Sequence, residues 1–257
     1  MLFSWPHRRV LRFSNAVVPA TMPYMSPSPE ILQAARTAYA SGNLIIFGGA
    51  GVSTAAGLPS WLALAKEARD RLQREGKSGE DVAEVNELIE RRQLIDALSA
   101  AKRLLGDHEF NLMIEVACDD RYIATIPDIA MAIAELAPKL KAIITTNLDC
   151  LLERALAGTW PPVCTPTGDL AQRRQYILKL HGTLFERHTW VFTRDQYDKA
   201  TFGQPQHRAV LEALFRGYQM LFVGFGLADD DFDLTLSATR ALAGPNPPVH
   251  FALRSEE

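Results

Sequence analysis

Residues 44–59 read Leu-Ile-Ile-Phe-Gly-Gly-Ala-Gly-Val-Ser-Thr-Ala-Ala-Gly-Leu-Pro, and the fold class follows from them. Leu44 to Phe47 form an unbroken apolar run, as expected of a strand buried on both faces. Gly48, Gly49 and Gly51 follow at once. Glycine permits positive φ and lets bare backbone approach a ligand. Ser53 to Gly57 then predict the first turn of a helix, whose free N–H groups attract a diphosphate. Strand, glycine turn and helix start make a dinucleotide fingerprint, although a tight turn in any α/β protein gives the same pattern. A Walker P-loop is excluded, because no Lys-Ser/Thr pair follows the glycines.

Outward from this stretch, apolar runs alternate with helical patterns. Upstream, Ser28 and Pro29 predict a helix start, and the helix ends near Gly42. Downstream, Trp61–Arg74 carries apolar residues at helical spacing. Asp81 to Leu105 predicts a long or broken helix, and His108 to Ala117 another, with His108 at the surface near its start. These helices predict an insert over the sheet, at about residues 66–118. A helix over Ile126–Ala137 leads into Ala142–Thr145, a second buried strand, followed by Thr146-Asn147-Leu148-Asp149 and a helix over 150–157. Tyr176–Leu180 predicts a strand ending in His181-Gly182, and Thr189–Phe192 a short strand. Pro205–Arg216 predicts a helix, Gln219–Val223 a strand running into Gly224-Phe225-Gly226-Leu227, and Val249–Leu253 a last strand. Such alternation predicts an α/β, Rossmann-like, mostly parallel sheet with helices on both faces.

Ligands of such sheets bind beyond the C-terminal strand ends. Four predicted strand ends carry residues foreign to a core: the glycine turn, Asn147 with Asp149, His181, and Gly224-Phe225-Gly226. A histidine past a strand end is placed to take a proton near neutral pH. The Asn147 amide can orient a water or hold a ribose hydroxyl, and Asp149 can accept hydrogen bonds. Local capping of helix 150–157 would also explain Asn147 and Asp149. No serine or cysteine stands in an activating motif. The set suits a good leaving group and an oxocarbenium-like transition state, as in cleavage of the nicotinamide–ribose bond of NAD.

Composition narrows the classes. The 257 residues are 47% hydrophobic and 22% charged, enough for one large globular domain or a domain with a small insert. A formal net charge of −3 gives no reason to expect nucleic-acid binding. No apolar run approaches a membrane span. The three cysteines, Cys118, Cys150 and Cys164, contain no Cys-x-x-Cys pair. Neither a zinc ribbon nor a disulfide framework is expected, which suits a reducing cytoplasm. Residues 1–27 are rich in proline and basic residues, with no acid before Glu30. They are expected to be a flexible or partner-docking arm, with an organelle transit peptide as the alternative. The acids Asp229, Asp230, Asp231 and Asp233 are read as helix capping rather than a metal site.

These motifs resemble the sirtuin superfamily. Gly49-Ala50-Gly51-Val52-Ser53 with Gly57-Leu58-Pro59 is similar to its Gly-Ala-Gly-x-Ser…Gly-Ile-Pro signature. Thr145-Thr146-Asn147-Leu148-Asp149 resembles Thr-Gln-Asn-Ile-Asp, and Lys179-Leu180-His181-Gly182 resembles the catalytic His-Gly. Gly224-Phe225-Gly226-Leu227 falls where sirtuins have Gly-Thr-Ser. The resemblance covers most of residues 28–253. It implies that Ala50, Ser53, Asn147 and Asp149 contact NAD and that His181 is the catalytic base, helped by Asn147. Gly49, Gly51, Gly57, Leu58, Trp61, Thr146, Gly224, Phe225 and Leu227 would complete the NAD site.

Three departures refine the resemblance. Thr183 to Gly203 holds no cysteine, where deacylases carry a zinc module with two cysteine pairs. Trp61-Leu62 replaces the expected Phe-Arg, and Gly226 replaces a serine. With Trp61 and the aspartates at 229–231, the pattern is similar to the bacterial sirtuin-like NAD hydrolases of anti-phage defence. That likeness implies cleavage of NAD to nicotinamide and ADP-ribose, without a metal, under control of homo-oligomer assembly or a regulatory partner. The alternatives are an NAD-dependent protein deacylase and a non-catalytic NAD or ADP-ribose binding subunit.

Overall fold

The computed structural model describes residues 8–13, 29–202, 205–225 and 248–255. Leu227 and the aspartates at 229–233 lie outside them. The strands are β1 (Arg8–Phe13), β2 (Leu44–Gly48), β3 (Ala142–Thr145), β4 (Pro162–Val163), β5 (Ile177–Lys179), β6 (Gln219–Val223) and β7 (His250–Ser255). They form one sheet in the order β1-β7-β6-β2-β3-β5-β4. Every described pair is parallel except β1 with β7. Within residues 1–27, Arg8–Phe13 is thus an edge strand, with Arg8 opposite Ser255 and Phe13 opposite His250.

All five residues of β2 are buried, because both faces of the sheet are covered. On one face lie α1 (Pro29–Ala40), α7 (Asp128–Leu136) and α8 (Leu151–Ala155), packed through Ala35, Ile133 and Leu152 against Ile46 and Ile143. On the other, α10 (Pro205–Gly217) packs Leu211, Leu214 and Phe215 against Ile45, Phe47 and Phe222. Each fully buried aliphatic or aromatic side chain contributes about 1.5–3 kcal/mol.

A third core belongs to the predicted helical insert. It consists of α3 (Trp61–Arg74), α4 (Gly79–Glu90), α5 (Leu94–Leu105) and α6 (Asp107–Ala117), joined through Ala68, Val85, Leu98 and Phe110. Asp81–Leu105 resolves into two helices. The chain breaks at Arg92, which has φ +60°. Ser60 caps α3 by accepting from the Ala63 N–H at 3.3 Å.

Thr189–Phe192, expected as a strand, is not one. Arg187–Thr189 make a 3-10 turn, and Trp190–Phe192 run extended without a ladder partner among the described residues. The rings explain the difference: Trp190 and Phe192 are buried in the insert's core rather than in the sheet. Two arginines tie the same segment to the insert. Arg187 binds Glu115 at 2.5 and 2.6 Å, and Arg194 binds Asp96 at 3.1 and 3.0 Å on the helices α6 and α5. α9 (Arg194–Phe202) follows.

Register brings the site together. Gly48 pairs with Thr145 on one side and Val223 on the other, and Thr145 pairs with Lys179. One row of the sheet therefore ends at four chain exits: Gly224, Gly49, Thr146 and Leu180. The chain runs from β2 to β3 in one direction and reaches β6 on the opposite side of β2. This reversal is the switch point where open α/β sheets bind ligands.

Candidate active site

The glycine turn comes first. α2 (Gly51–Thr54) is a single turn, and α3 starts separately at Trp61. Gly57, at φ +87°, and Pro59 separate the two. The turn is stitched to the end of β6. The Gly49 N–H donates to the Val223 carbonyl at 2.8 Å, and the Gly51 N–H to Gly224 at 2.7 Å. A Cβ on Gly51 would lie 2.7 Å from the Gly224 oxygen, and one on Gly49 would lie 2.8 Å from the same oxygen and from the Phe225 ring. The glycines are needed for backbone to meet backbone here. The expectation of free N–H groups is corrected accordingly. The Val52 and Ser53 N–H groups also have carbonyl partners, Gly49 and Ala50.

Beside this turn stands a buried polar network. Ser53 Oγ donates to Asp149 Oδ2 at 2.5 Å. Asn147 Nδ2 donates to the Gly49 carbonyl at 3.0 Å and to Ser53 Oγ at 2.8 Å. The Gly49 carbonyl can only accept, so it sets the orientation of the amide. Both N–H donors of Asn147 are engaged, which leaves Oδ1 as its remaining polar group. Asp149 Oδ1 accepts from the Leu151 N–H at 3.1 Å and caps α8. The capping role and the network coexist on one carboxylate. Burial raises the Asp149 pKa, while the Ser53 hydroxyl and the charge of Lys179 pull it down.

His181 lies past the end of β5 and is buried. Trp61 meets its ring edge-on at 5.2 Å, and Tyr197 does so at 6.4 Å. Burial pushes its pKa down to about 4, so the imidazole is neutral at pH 7. Its Nδ1 and the hydroxyl of Thr146 are buried without a hydrogen-bond partner. Gly182 holds the turn after it at φ +86°, where a Cβ would collide with the Thr189 carbonyl.

A cavity of about 30 Å³ lies between the glycine turn and the polar network, lined by Ala50, Ser53, Leu58, Trp61, Thr146, Asn147 and Asp149, with Pro59, Leu64, Cys118, Leu148 and Phe192. His181 does not line it, but its ring is in contact with Trp61, which does. Gly57 is not in its wall, nor are Gly224 and Phe225. Those two pack on the glycine turn, with the Phe225 ring 5.6 Å from Phe47. Sequence reading missed Phe192 and Cys118. Burial lifts the Cys118 thiol to about 12, so it is an inert wall. Lys179, quoted from the sequence only as a neighbour of His181, is fully buried at the end of β5.

Among the described residues, no group of three His, Cys, Asp or Glu side chains could hold a metal. No described helix is long and apolar enough to cross a membrane.

Comparison with known proteins extends the geometry. The model of the SIR2-like domain family matches residues 141–257. The NAD(+) hydrolase ThsA of Cytobacillus dafuensis is 27% identical over 217 residues, 81% of this chain and 40% of that protein. ThsA of Bacillus cereus is 24% identical over 226 residues, 84% of this chain and 44% of the relative. Defense-associated sirtuin 2 of Bacillus subtilis is 25% identical over 238 residues, 88% of this chain and 22% of the relative. The chain spans less than half the length of these relatives. With its motifs gathered at one row of strand ends, this chain is similar over residues 141–257 to the SIR2-like domain family, and the relatives it matches are named as NAD(+) hydrolases and a defence-associated sirtuin.

Proposed function

We propose that this chain hydrolyses the nicotinamide–ribose bond of NAD, releasing nicotinamide and ADP-ribose, as a cytoplasmic effector of anti-phage defence. The observation that supports it best is the hydrogen-bonded set Gly49, Ser53, Asn147 and Asp149 at the switch point, with neutral His181 beside Trp61. The names of the relatives point the same way.

In this reading the glycosidic electron pair leaves with the pyridinium nitrogen, which becomes neutral. The ribose carbon becomes cationic, and water adds to it. Asn147 Oδ1 orients that water, and the unprotonated imidazole of His181 takes its proton. A weak base suffices because the water attacks an already cationic carbon, and burial keeps the resting imidazole unprotonated. The unpartnered hydroxyl of Thr146 is available to a ribose or amide group. Sites for small ligands enclose about 300–1,000 Å³. The 30 Å³ cavity must therefore widen, with Trp61 moving aside, before NAD reaches His181. A resting pocket too small for NAD fits control by assembly or by a partner subunit.

Incubating the protein with NAD, alone and with the products of neighbouring genes, while following nicotinamide by chromatography tests the proposal. Release that disappears in His181→Ala supports it. The burial of His181 favours one other reading, a non-catalytic NAD or ADP-ribose binding subunit. Tight binding by calorimetry without nicotinamide release in any mixture would select that one.

A further inference from the structure

We propose that Lys179 is a positioning residue, whose buried ammonium locks the turn carrying Asn147 and Asp149 against the strand end that carries His181. Its side chain is fully buried. Nζ donates to the Leu148 carbonyl at 3.1 Å, the Asp149 carbonyl at 2.6 Å and Glu153 Oε1 at 2.8 Å. An ammonium has three donors, and here all three have acceptors. A buried charge is tolerated when it is paired and hydrogen-bonded in this way.

The placement makes the contact more than a local staple. Lys179 is the last residue of β5 and pairs in register with Thr145, the last residue of β3. The loop of interest starts at the next residue of β3. Two of the three acceptors are carbonyls of that loop, and the third, Glu153, is on α8. His181 follows two residues after Lys179. One side chain thus connects three of the pieces that must keep a fixed geometry: the Asn147–Asp149 turn, the start of α8 and the approach to His181. A catalytic group displaced by about 1 Å costs roughly 10²-fold in rate, so a rigid turn matters more to turnover than to folding.

The role in turnover rests on the NAD-cleaving reading above, whereas the locking of the turn does not. Two variants of the full chain separate the effects. Lys179→Met removes the ammonium but leaves the Glu153 charge without its partner. Lys179→Met/Glu153→Gln removes both charges and keeps the packing. The first readout is amide hydrogen exchange at Asn147 and Leu151, whose N–H groups bond Thr145 Oγ1 and Asp149 Oδ1. The second is kcat and KM for nicotinamide release.

The double variant is expected to stay folded and to melt somewhat below the parent protein, because the Asp149 carbonyl loses its donor. Both amides are expected to exchange at least tenfold faster, with kcat down about tenfold or more and KM changed less. Parent-like exchange at both amides in the double variant overturns the proposal, whatever the activity. Faster exchange with parent-like kcat overturns the catalytic half and leaves Lys179 a structural clamp. If the parent protein releases no nicotinamide under any condition, the functional reading fails, and the exchange data still decide whether Lys179 locks the turn.

Discussion

Ser53 and Asp149, far apart in sequence, share a 2.5 Å hydrogen bond from hydroxyl to carboxylate. The bond joins the turn after β2 to the turn after β3, and Asn147 completes the set by donating to the same hydroxyl at 2.8 Å. Ser53→Ala should therefore leave a buried carboxylate short of one donor. A hydrogen bond to a charged group contributes roughly 1.5–3 kcal/mol, so a loss of about 2 kcal/mol in denaturant unfolding is expected. Nicotinamide release should fall at least tenfold. Parent-like stability with parent-like turnover would show that the network is incidental.

Gly51→Ala should be worse for folding than a surface glycine change. The new methyl would meet the Gly224 oxygen at 2.7 Å, and both partners are backbone. Overpacking of this kind costs about 1–3 kcal/mol. Gly79→Ala, where nothing lies within 4 Å of the new methyl, is the control. Urea midpoints of the two variants should differ in that order.

His181 and His250 both have pKa values pushed down by burial, to about 4. Their ordinary value is 6.5, so the unfolded chain binds protons that the folded chain refuses. Stability is then full above pH 6.5 and falls as the pH drops from 6.5 towards 4. A shift of this size corresponds to roughly 3 kcal/mol per histidine at the acid end. Melting temperatures between pH 7.5 and 4.5 should decline. They should decline less steeply in His181→Asn, because one of the two groups is gone.

The segment that follows His181 is held by rings more than by charges. Trp190→Ala should cost about 3–5 kcal/mol, because the indole is buried and its N–H donates to the Thr183 carbonyl at 2.8 Å. Arg194→Ala removes a solvent-exposed pair with Asp96 and should cost under about 1 kcal/mol. Paired thermal melts would reverse this assignment if the arginine change proved the larger.

Much of the fold is legible in short stretches. A buried strand is an apolar run, and a helix repeats its apolar residues every three or four positions. Leu44–Phe47, Ala142–Thr145 and Gln219–Val223 therefore declare themselves without partners. So do the foreign residues at their ends: Asn147, Asp149, His181 and the glycines. Thr189–Phe192 misled, because a short aromatic and β-branched run looks the same whether it joins a ladder or fills a helical core. The stretch from Asp81 to Leu105 read as a long or broken helix, and only the structure placed the break at Arg92, because a charged residue carries no turn signal of its own.

What residues 44–59 and the other motifs determine by themselves is the class of sheet and which side chains stand at its ends. That information is local, set by side-chain size, polarity and backbone freedom. Tertiary structure alone decides which atoms those residues find. It uses the Gly49 and Gly51 N–H groups on the end of β6 and the residue after it, turns Asn147 by the Gly49 carbonyl, sets His181 edge-on to Trp61 and sends Lys179 to the carbonyls of Leu148 and Asp149. The reason is register: hydrogen-bond partners far apart along the chain are chosen by how strands align, and no single stretch contains that alignment.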